Sequence, residues 1–321
     1  MICRVCGNSE NNKIFNLKEM MFGFRDKFTY VECLKCGCLQ IVEIPNNIEK
    51  YYPSNYYSFN KLSFKKENDN IIKKFLKRKR DEYALFRKGL IGKLVYFKYP
   101  HLFFCIIGMA KIKLQSKILD IGCGSGSLLY SLRKIGLKNL LGIDIYIDNE
   151  IKNNNVKILK KNIYELNEFD RYDLIMFNHS FEHIFDQLQT LIKVYKLLSE
   201  CGVCLIRMPI KTDYIWNLYG TNWAQIDAPR HFFLHTLKSF ELLVKKSGFS
   251  IQDIVFDSTE FQFWGSEQYK KSIPLNVENS YSVNPEKSIF AIEQIIKYKK
   301  LAKRLNMACQ GDQAAFILKK Y

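Results

Sequence analysis

"ILDIGCGSGS", residues 118–127, runs a short apolar stretch into a glycine-rich loop and places an acid, Asp120, at the join. The pattern reads as a strand entering a tight turn that opens a helix. Loops of this kind usually offer backbone N–H groups and a helix N-terminus to a phosphate. A carboxylate at the mouth repels an anion, so this loop is expected to face something positively charged. The dinucleotide fingerprint requires glycines at its first, third and sixth places; here those are Gly122, Gly124 and Ser127, and the last fails. The Gly-Lys-Ser/Thr of a P-loop is absent.

Working outward, "KILDI" is a strand and "SGSLLYSLRKIG" a helix closed by Gly136. "NLLGIDI", "VKILKKN", "YDLIMFN" and "VCLIRMP" are further strands, with the helical "DQLQTLIKVYKLLSE" before the last of them. "TLKSFELLVKKSG" is another helix, stopped by Gly248, and "IQDIVFD" and "GDQAAFILKK" are two final strands around a helix expected over 285–306. This alternation predicts an α/β fold: a Rossmann-like, doubly wound, mostly parallel sheet of seven strands, covered on both faces. Asp144 closes the second strand 24 residues after Asp120, about where a carboxylate can take both hydroxyls of a ribose. An adenosine without phosphates and with a cationic side chain suits two such acids, and S-adenosylmethionine is that molecule.

From residue 117 to about 255 the sequence resembles the class I S-adenosylmethionine-dependent methyltransferases. The resemblance implies that Gly122, Cys123, Gly124 and Gly126 let the backbone approach the cofactor and that Asp120 lies near its amino-acid end. Asp144 and Ile145 fall at the ribose, Asn162 and Ile163 at the adenine, and Asn178, ending the fourth strand, beside the methyl group. It also implies an antiparallel last strand, which "GDQAAFIL" fits.

Four of the five histidines form two i, i+4 pairs, His179 with His183 in "FNHSFEHIFD" and His231 with His235 in "DAPRHFFLHT". Both segments follow strands at the sheet's C-terminal edge, where open α/β sheets bind ligands. Methyl transfer to a hydroxyl requires alignment, exclusion of water and removal of a proton, and imidazole suits the last task. His183 or His231 is the expected base, with His179 and Glu182 beside them, and Arg230 is the expected grip on an anionic substrate group. "HSFEH" also resembles the E-x-x-E-H stretch of ubiquinone-type O-methyltransferases, which helps hold a divalent metal; here His179 replaces the first acid. Glu182 and His183 capping the following helix is the plainer alternative.

At the N-terminus "CRVCG" and "CLKCG" repeat one device. Cys3, Cys6, Cys33 and Cys36 can converge on one tetrahedral four-sulfur site of the kind that takes structural Zn²⁺. Cys38 is a spare. "YYPSNYYSF" follows, then a lysine-rich stretch with apolar residues at helical spacing (Ile71, Ile72, Phe75, Leu76, then Tyr83, Leu85, Phe86), read as helices with a basic outer face. A zinc module, a tyrosine stretch and a methyltransferase core, in that order, resemble the bacterial sugar-modifying methyltransferases. There tyrosines of this stretch lean over the cofactor, which implies Tyr56 and Tyr57 here. The expected layout is a zinc module over 1–50, a helical connector over 51–115 and the catalytic domain over 116–321.

The formal charge of +17 suits a polyanion, so a zinc-ribbon RNA methyltransferase is the alternative to an enzyme acting on a saccharide or nucleotide-linked precursor. No N-P-P-Y-like tetrapeptide for a flipped base is present, and the aromatics near the basic helices are not interleaved for stacking. The longest apolar run, "LFFCIIGMA", is far short of the ~20 residues of a membrane helix. With no signal peptide and ten cysteines, a cytoplasmic protein with reduced thiols is expected.

Overall fold

The computed structural model describes residues 1–53, 70–153 and 156–321. Three short strands open the chain, β1 (Lys13–Lys18), β2 (Lys27–Glu32) and β3 (Leu39–Ile41), followed by helices α1 (Ile71–Phe86), α2 (Leu90–Lys98) and α3 (Leu102–Met109). The central region runs β4 (Lys117–Ile121), α4 (Ser127–Ile135), β5 (Asn139–Ile143), β6 (Ile151–Asn153), β7 (Val156–Leu159), β8 (Tyr172–Asn178), α5 (Gln187–Leu197) and β9 (Leu198–Pro209). The remainder is α6 (Asp213–Tyr219), β10 (Phe233–Leu234), α7 (Leu237–Lys246), β11 (Phe249–Phe256), α8 (Phe261–Lys270), α9 (Ile292–Met307) and β12 (Gln313–Lys320).

The large sheet has the order β11-β12-β9-β8-β4-β5-β7-β6. Strands β7, β5, β4, β8 and β9 are mutually parallel. β12 runs antiparallel between β9 and β11. The expected seven strands are present, and the three-residue β6 adds an antiparallel edge. The chain winds outward from β4 to β7, then returns to β8 on β4's other side. The crevice at the C-terminal ends of β4 and β8 is therefore the switch point where such sheets take ligands.

Side chains alternate across these strands. Leu119, Ile121, Ile175 and Phe177 join a core shared with α5, α7 and the N-terminal strands. Ile118, Leu174 and Met176 join a second core under α1, α3 and α4. Both faces are thus covered, as near-continuous apolar strands require. The run Leu102–Ala110 enters this second core, with Phe104 to Ile107 buried. No helix among the described residues is long and apolar enough to cross a membrane.

Three readings are amended. The helix expected over 285–306 is a short 3-10 turn, Pro285–Lys287, capped by the Asn284 side chain, and then α9. Helices α6 and α8 had no distinct periodicity in the sequence. The first turn of α1 does not bury its isoleucines: Ile71 and Ile72 are exposed, while Ala84 and Leu85 at the other end are covered.

The N-terminal strands do not form a closed sheet of their own. β10, from the far end of the chain, pairs antiparallel with β3, Phe233 opposite Gln40 and Leu234 opposite Leu39. The first forty residues are thereby stitched to the segment that carries His231.

Candidate active site

The loop after β4 folds back over the end of β5. The amides of Gly122 and Cys123 donate to the Ile143 carbonyl at 2.8 and 3.2 Å. Gly122, Gly124 and Gly126 all have positive φ (71°, 51° and 77°), the left-handed region that costs other residues energy. Space is equally restrictive. A Cβ on Gly122 would stand 2.4 Å from the Ser180 Cβ, and one on Gly126 2.1 Å from the Ile158 Cδ1. The Asp144 carboxylate clamps the loop by accepting from the Gly124 and Tyr146 amides at 2.9 and 2.8 Å. A carboxylate has about four lone-pair sites, so acceptor capacity remains for a ligand. Asp120 is buried beneath; burial first, and the Asp144 charge second, push its pKa up to about 7.

Over this loop lies a cleft of about 920 Å³, its open mouth included. Of the expected cofactor residues, Gly122, Asp144, Ile145, Asn162 and Ile163 line it. Asp120, Cys123, Gly124, Gly126 and Asn178 do not. The Cys123 Sγ packs where a Gly142 Cβ would be, and the Asn178 side-chain Oδ1 accepts from Arg207 at 3.1 Å. The Asn162 carbonyl caps the turn that follows, accepting from the Tyr164 and Glu165 amides; its NH₂ group is what remains for a ligand. Tyr56 and Tyr57 lie outside the described residues. Tyr52, just before them, stacks on Tyr146 with ring centroids 5.0 Å apart.

The histidines occupy one end of this cleft. His183 lines it, and its Nδ1 faces the Arg230 carbonyl at 2.8 Å and the Tyr52 hydroxyl at 3.2 Å. A carbonyl only accepts, so Nδ1 carries the proton and Nε2 the lone pair. His231 is oriented alike, Nδ1 to the Gln225 carbonyl at 2.8 Å, but it is buried behind His183, the rings 4.8 Å apart and edge-on. His179 also lines the cleft. Arg207 donates to its Nε2 at 2.7 Å, which turns Nδ1–H toward Glu182 at a long 3.5 Å.

Glu182 is fully buried, and neither carboxylate oxygen has a hydrogen-bond partner among the described residues. Burial works against its charge, but the three imidazoles around it, His179 nearest at 3.5 Å, outweigh that and hold its pKa at about 2. Burial and His231 depress His183 to about 4. The arrangement at neutral pH is a carboxylate beside a neutral imidazole. Ligand atoms of Glu182, His183 and His231 lie within 4.8 Å of one another, and two of them keep Nε2 free by anchoring Nδ1 on carbonyls. That donor set fits a divalent cation as well as a proton relay; its third member is His231, not the His179 of the "HSFEH" resemblance.

Arg230 requires a correction. It is fully buried and is not among the residues that line the cleft. Its Nε and Nη2 donate to the two Asp227 oxygens at 2.9 and 2.6 Å, Nη2 also to Glu19 at 2.9 Å, and Nη1 to the Tyr51 carbonyl at 3.0 Å. The guanidinium is consumed inside the protein.

The four N-terminal cysteines do converge. Cys3 and Cys36 sulfurs are 3.6 Å apart, Cys6 and Cys33 3.4 Å, and all four lie within 4.8 Å. A tetrahedron with Zn–S of about 2.3 Å has S···S edges of about 3.8 Å, so the set fits a four-thiolate metal. In each knuckle the glycine amide (Gly7, Gly37) donates to the first cysteine's carbonyl at 2.8 Å. The Thr236 hydroxyl anchors the Cys36 carbonyl at 2.6 Å.

A methyltransferase domain profile matches residues 80–254, more than half of the chain. The chain belongs to the methyltransferase domain family. It is an S-adenosylmethionine-dependent methyltransferase. Similar solved structures include a putative sarcosine dimethylglycine methyltransferase from Galdieria sulphuraria (16% identity, 70% of this chain and 86% of that one, TM-score 0.45). Another is the cyclopropane synthase MmaA2 from Mycobacterium tuberculosis (17%, 75% and 94%, 0.42). A third is the complex of the Haloferax volcanii Trm112 methyltransferase activator with a putative methyltransferase (14%, 75% and 96%, 0.46). No curated protein sequence matches this chain.

Several lining residues of this methyltransferase escaped sequence reasoning: Tyr52, Tyr146, Tyr164, Ser180, Lys161 and Thr190. Ser180 was within reach, because it sits inside "HSFEH" next to His179. Thr190 carried no local signal.

Two outcomes are expected. Arg230→Ala leaves Glu19 and Asp227 buried without their cation and should lower unfolding free energy by about 3–5 kcal/mol in denaturant titration. Unchanged stability would restore Arg230 to a substrate role. A cationic ligand binds the ionised form of Asp120, whose pKa is raised to about 7. Calorimetric affinity for S-adenosylmethionine should therefore rise about tenfold from pH 6 to pH 8, and a flat profile would show that Asp120 is not felt by the ligand.

Proposed function

We propose that this methyltransferase methylates a hydroxyl group of a saccharide or nucleotide-linked precursor in surface-polysaccharide assembly, with His183 taking the hydroxyl proton. The observation that carries the reading is a neutral imidazole lining the cleft whose Nε2 has no hydrogen-bond partner among the described residues. When bound, the cofactor supplies an electrophilic methyl carbon. The chain's own residues then have three tasks: the glycine loop and Asp144 hold the nucleoside, the tyrosines exclude water, and His183 accepts a proton. Glu182, behind it, stabilises the imidazolium that results. A depressed pKa weakens His183 as a base; a proton arriving on Nε2 gains from the nearby carboxylate.

Arg230 no longer supports an anionic acceptor, but Lys161 on the cleft wall leaves a phosphorylated one open to recognition. The saccharide assignment rests on the order of modules: four-cysteine knuckles, a tyrosine stretch, then the methyltransferase core. We assign Zn²⁺ to Cys3, Cys6, Cys33 and Cys36 as a structural ion; four thiolates suit a reducing compartment such as the cytoplasm. The net charge of +17 favours RNA as the second reading.

With labelled methyl donor and cell extract, label should enter a ribonuclease-resistant, glycosidase-sensitive fraction; label lost to ribonuclease refutes the saccharide. His183→Ala should lower the methylation rate by about 10²–10⁴ with cofactor affinity retained, and a rate within a few-fold of wild type removes His183 as base. Metal analysis should find about one zinc per chain, absent from Cys33→Ser; full zinc in that variant contradicts the four-thiolate site.

A further inference from the structure

Among the described residues, helix α2 has an uncovered apolar face. It packs on α1 through one side only. A Cβ on Gly92 would stand 2.2 Å from the Lys79 carbonyl oxygen, and the Tyr96 ring lies 5.5 Å from the Tyr83 ring. At about 100° per residue, Leu90, Leu94 and Phe97 (i, i+4, i+7) project from the opposite side, with Ile91 beside them. They are 80%, 74%, 71% and 50% exposed. Single exposed apolar side chains are ordinary, whereas four on one short helix mark an interaction surface.

The charge around the stripe is of one sign. Between Tyr83 and Leu119 the sequence has seven lysines and arginines and no acid, and Lys88, Lys93 and Lys98 are exposed beside the apolar residues. We propose that α2 docks this methyltransferase onto an anionic bilayer surface. Leu90, Leu94 and Phe97 enter the boundary between headgroups and acyl chains, and the three lysines meet the lipid phosphates. At nine residues the helix is about 14 Å long, half the ~30 Å hydrocarbon core, so it lies on the membrane rather than across it.

The chemistry disfavours other occupants. A second copy related by a two-fold axis would bring like-charged lysines together. A nucleic acid gains nothing from a mainly aliphatic stripe, which cannot stack bases. The placement also suits catalysis at a surface. Phe103 of the adjoining α3 lies 5.1 Å from the Arg207 guanidinium that holds His179, so the layer carrying α2 packs beside the site.

The test is co-sedimentation of the full-length, zinc-loaded protein with vesicles of phosphatidylcholine alone or mixed with phosphatidylglycerol. Partition onto the anionic vesicles should exceed that onto the neutral ones by roughly a hundredfold, and should fall with added salt. Leu94→Glu combined with Phe97→Glu should abolish it without changing the melting temperature or the affinity for S-adenosylhomocysteine, while the cofactor-site variant Asp144→Ala should bind vesicles normally. The proposal is overturned by equal partition onto both vesicle types, by no sedimentation, or by undiminished binding of the double variant. A lipid-independent dimer that the double variant dissolves, or RNA binding in place of vesicle binding, overturns it equally.

Discussion

One buried guanidinium organises the centre of this molecule. Arg230 sits between Asp227 and Glu19 in the N-terminal module. Glu19 is itself satisfied, its oxygens accepting from the Phe22 and Phe24 amides. A buried charge network of this kind stabilises little by itself but is costly to break, so it fixes the position of everything attached to it. The Arg230 carbonyl sets the tautomer of His183, and the Tyr30 hydroxyl holds the His231 carbonyl at 2.8 Å. The N-terminal module is therefore a brace for the site. Zinc, if bound by the knuckles, would stiffen that brace from a distance, through β3 and its pairing with β10.

The second constraint is the winding of the sheet. Because the chain leaves β4 in one direction and resumes beside it in the other, two loops meet at the same crevice. One carries the glycines and the other carries His179 to His183. Their contact is tight enough that Gly122 has no room for a side chain against Ser180. The glycine loop and the segment that carries the candidate base are thus packed closely against each other.

Much of this was legible along the chain. The strands, the glycine loop, Asp144 and the four cysteines announce themselves through period, backbone demands and spacing, all of which are local. His183 was legible as a candidate, but its partners were not: Arg230 looked like a surface anion grip because "PRH" says nothing of Glu19, 211 residues earlier. Tyr52 and Tyr146 join the cleft from separate segments, so no spacing rule connects them. The helix expected over 285–306 was placed too early: propensity extends a helix wherever nothing forbids it, while here Asn284 caps a separate turn and α9 begins only at Ile292.

The sequence by itself determined the strand pattern, the backbone that only glycine allows and the two separate cysteine knuckles, since each follows from neighbours within a few residues. Tertiary structure alone decided which charges would be buried together, which imidazole nitrogen would keep its lone pair, and which apolar face would stay open on α2. Those outcomes depend on groups brought together from distant positions, where desolvation and pairing, not local preference, set the energy.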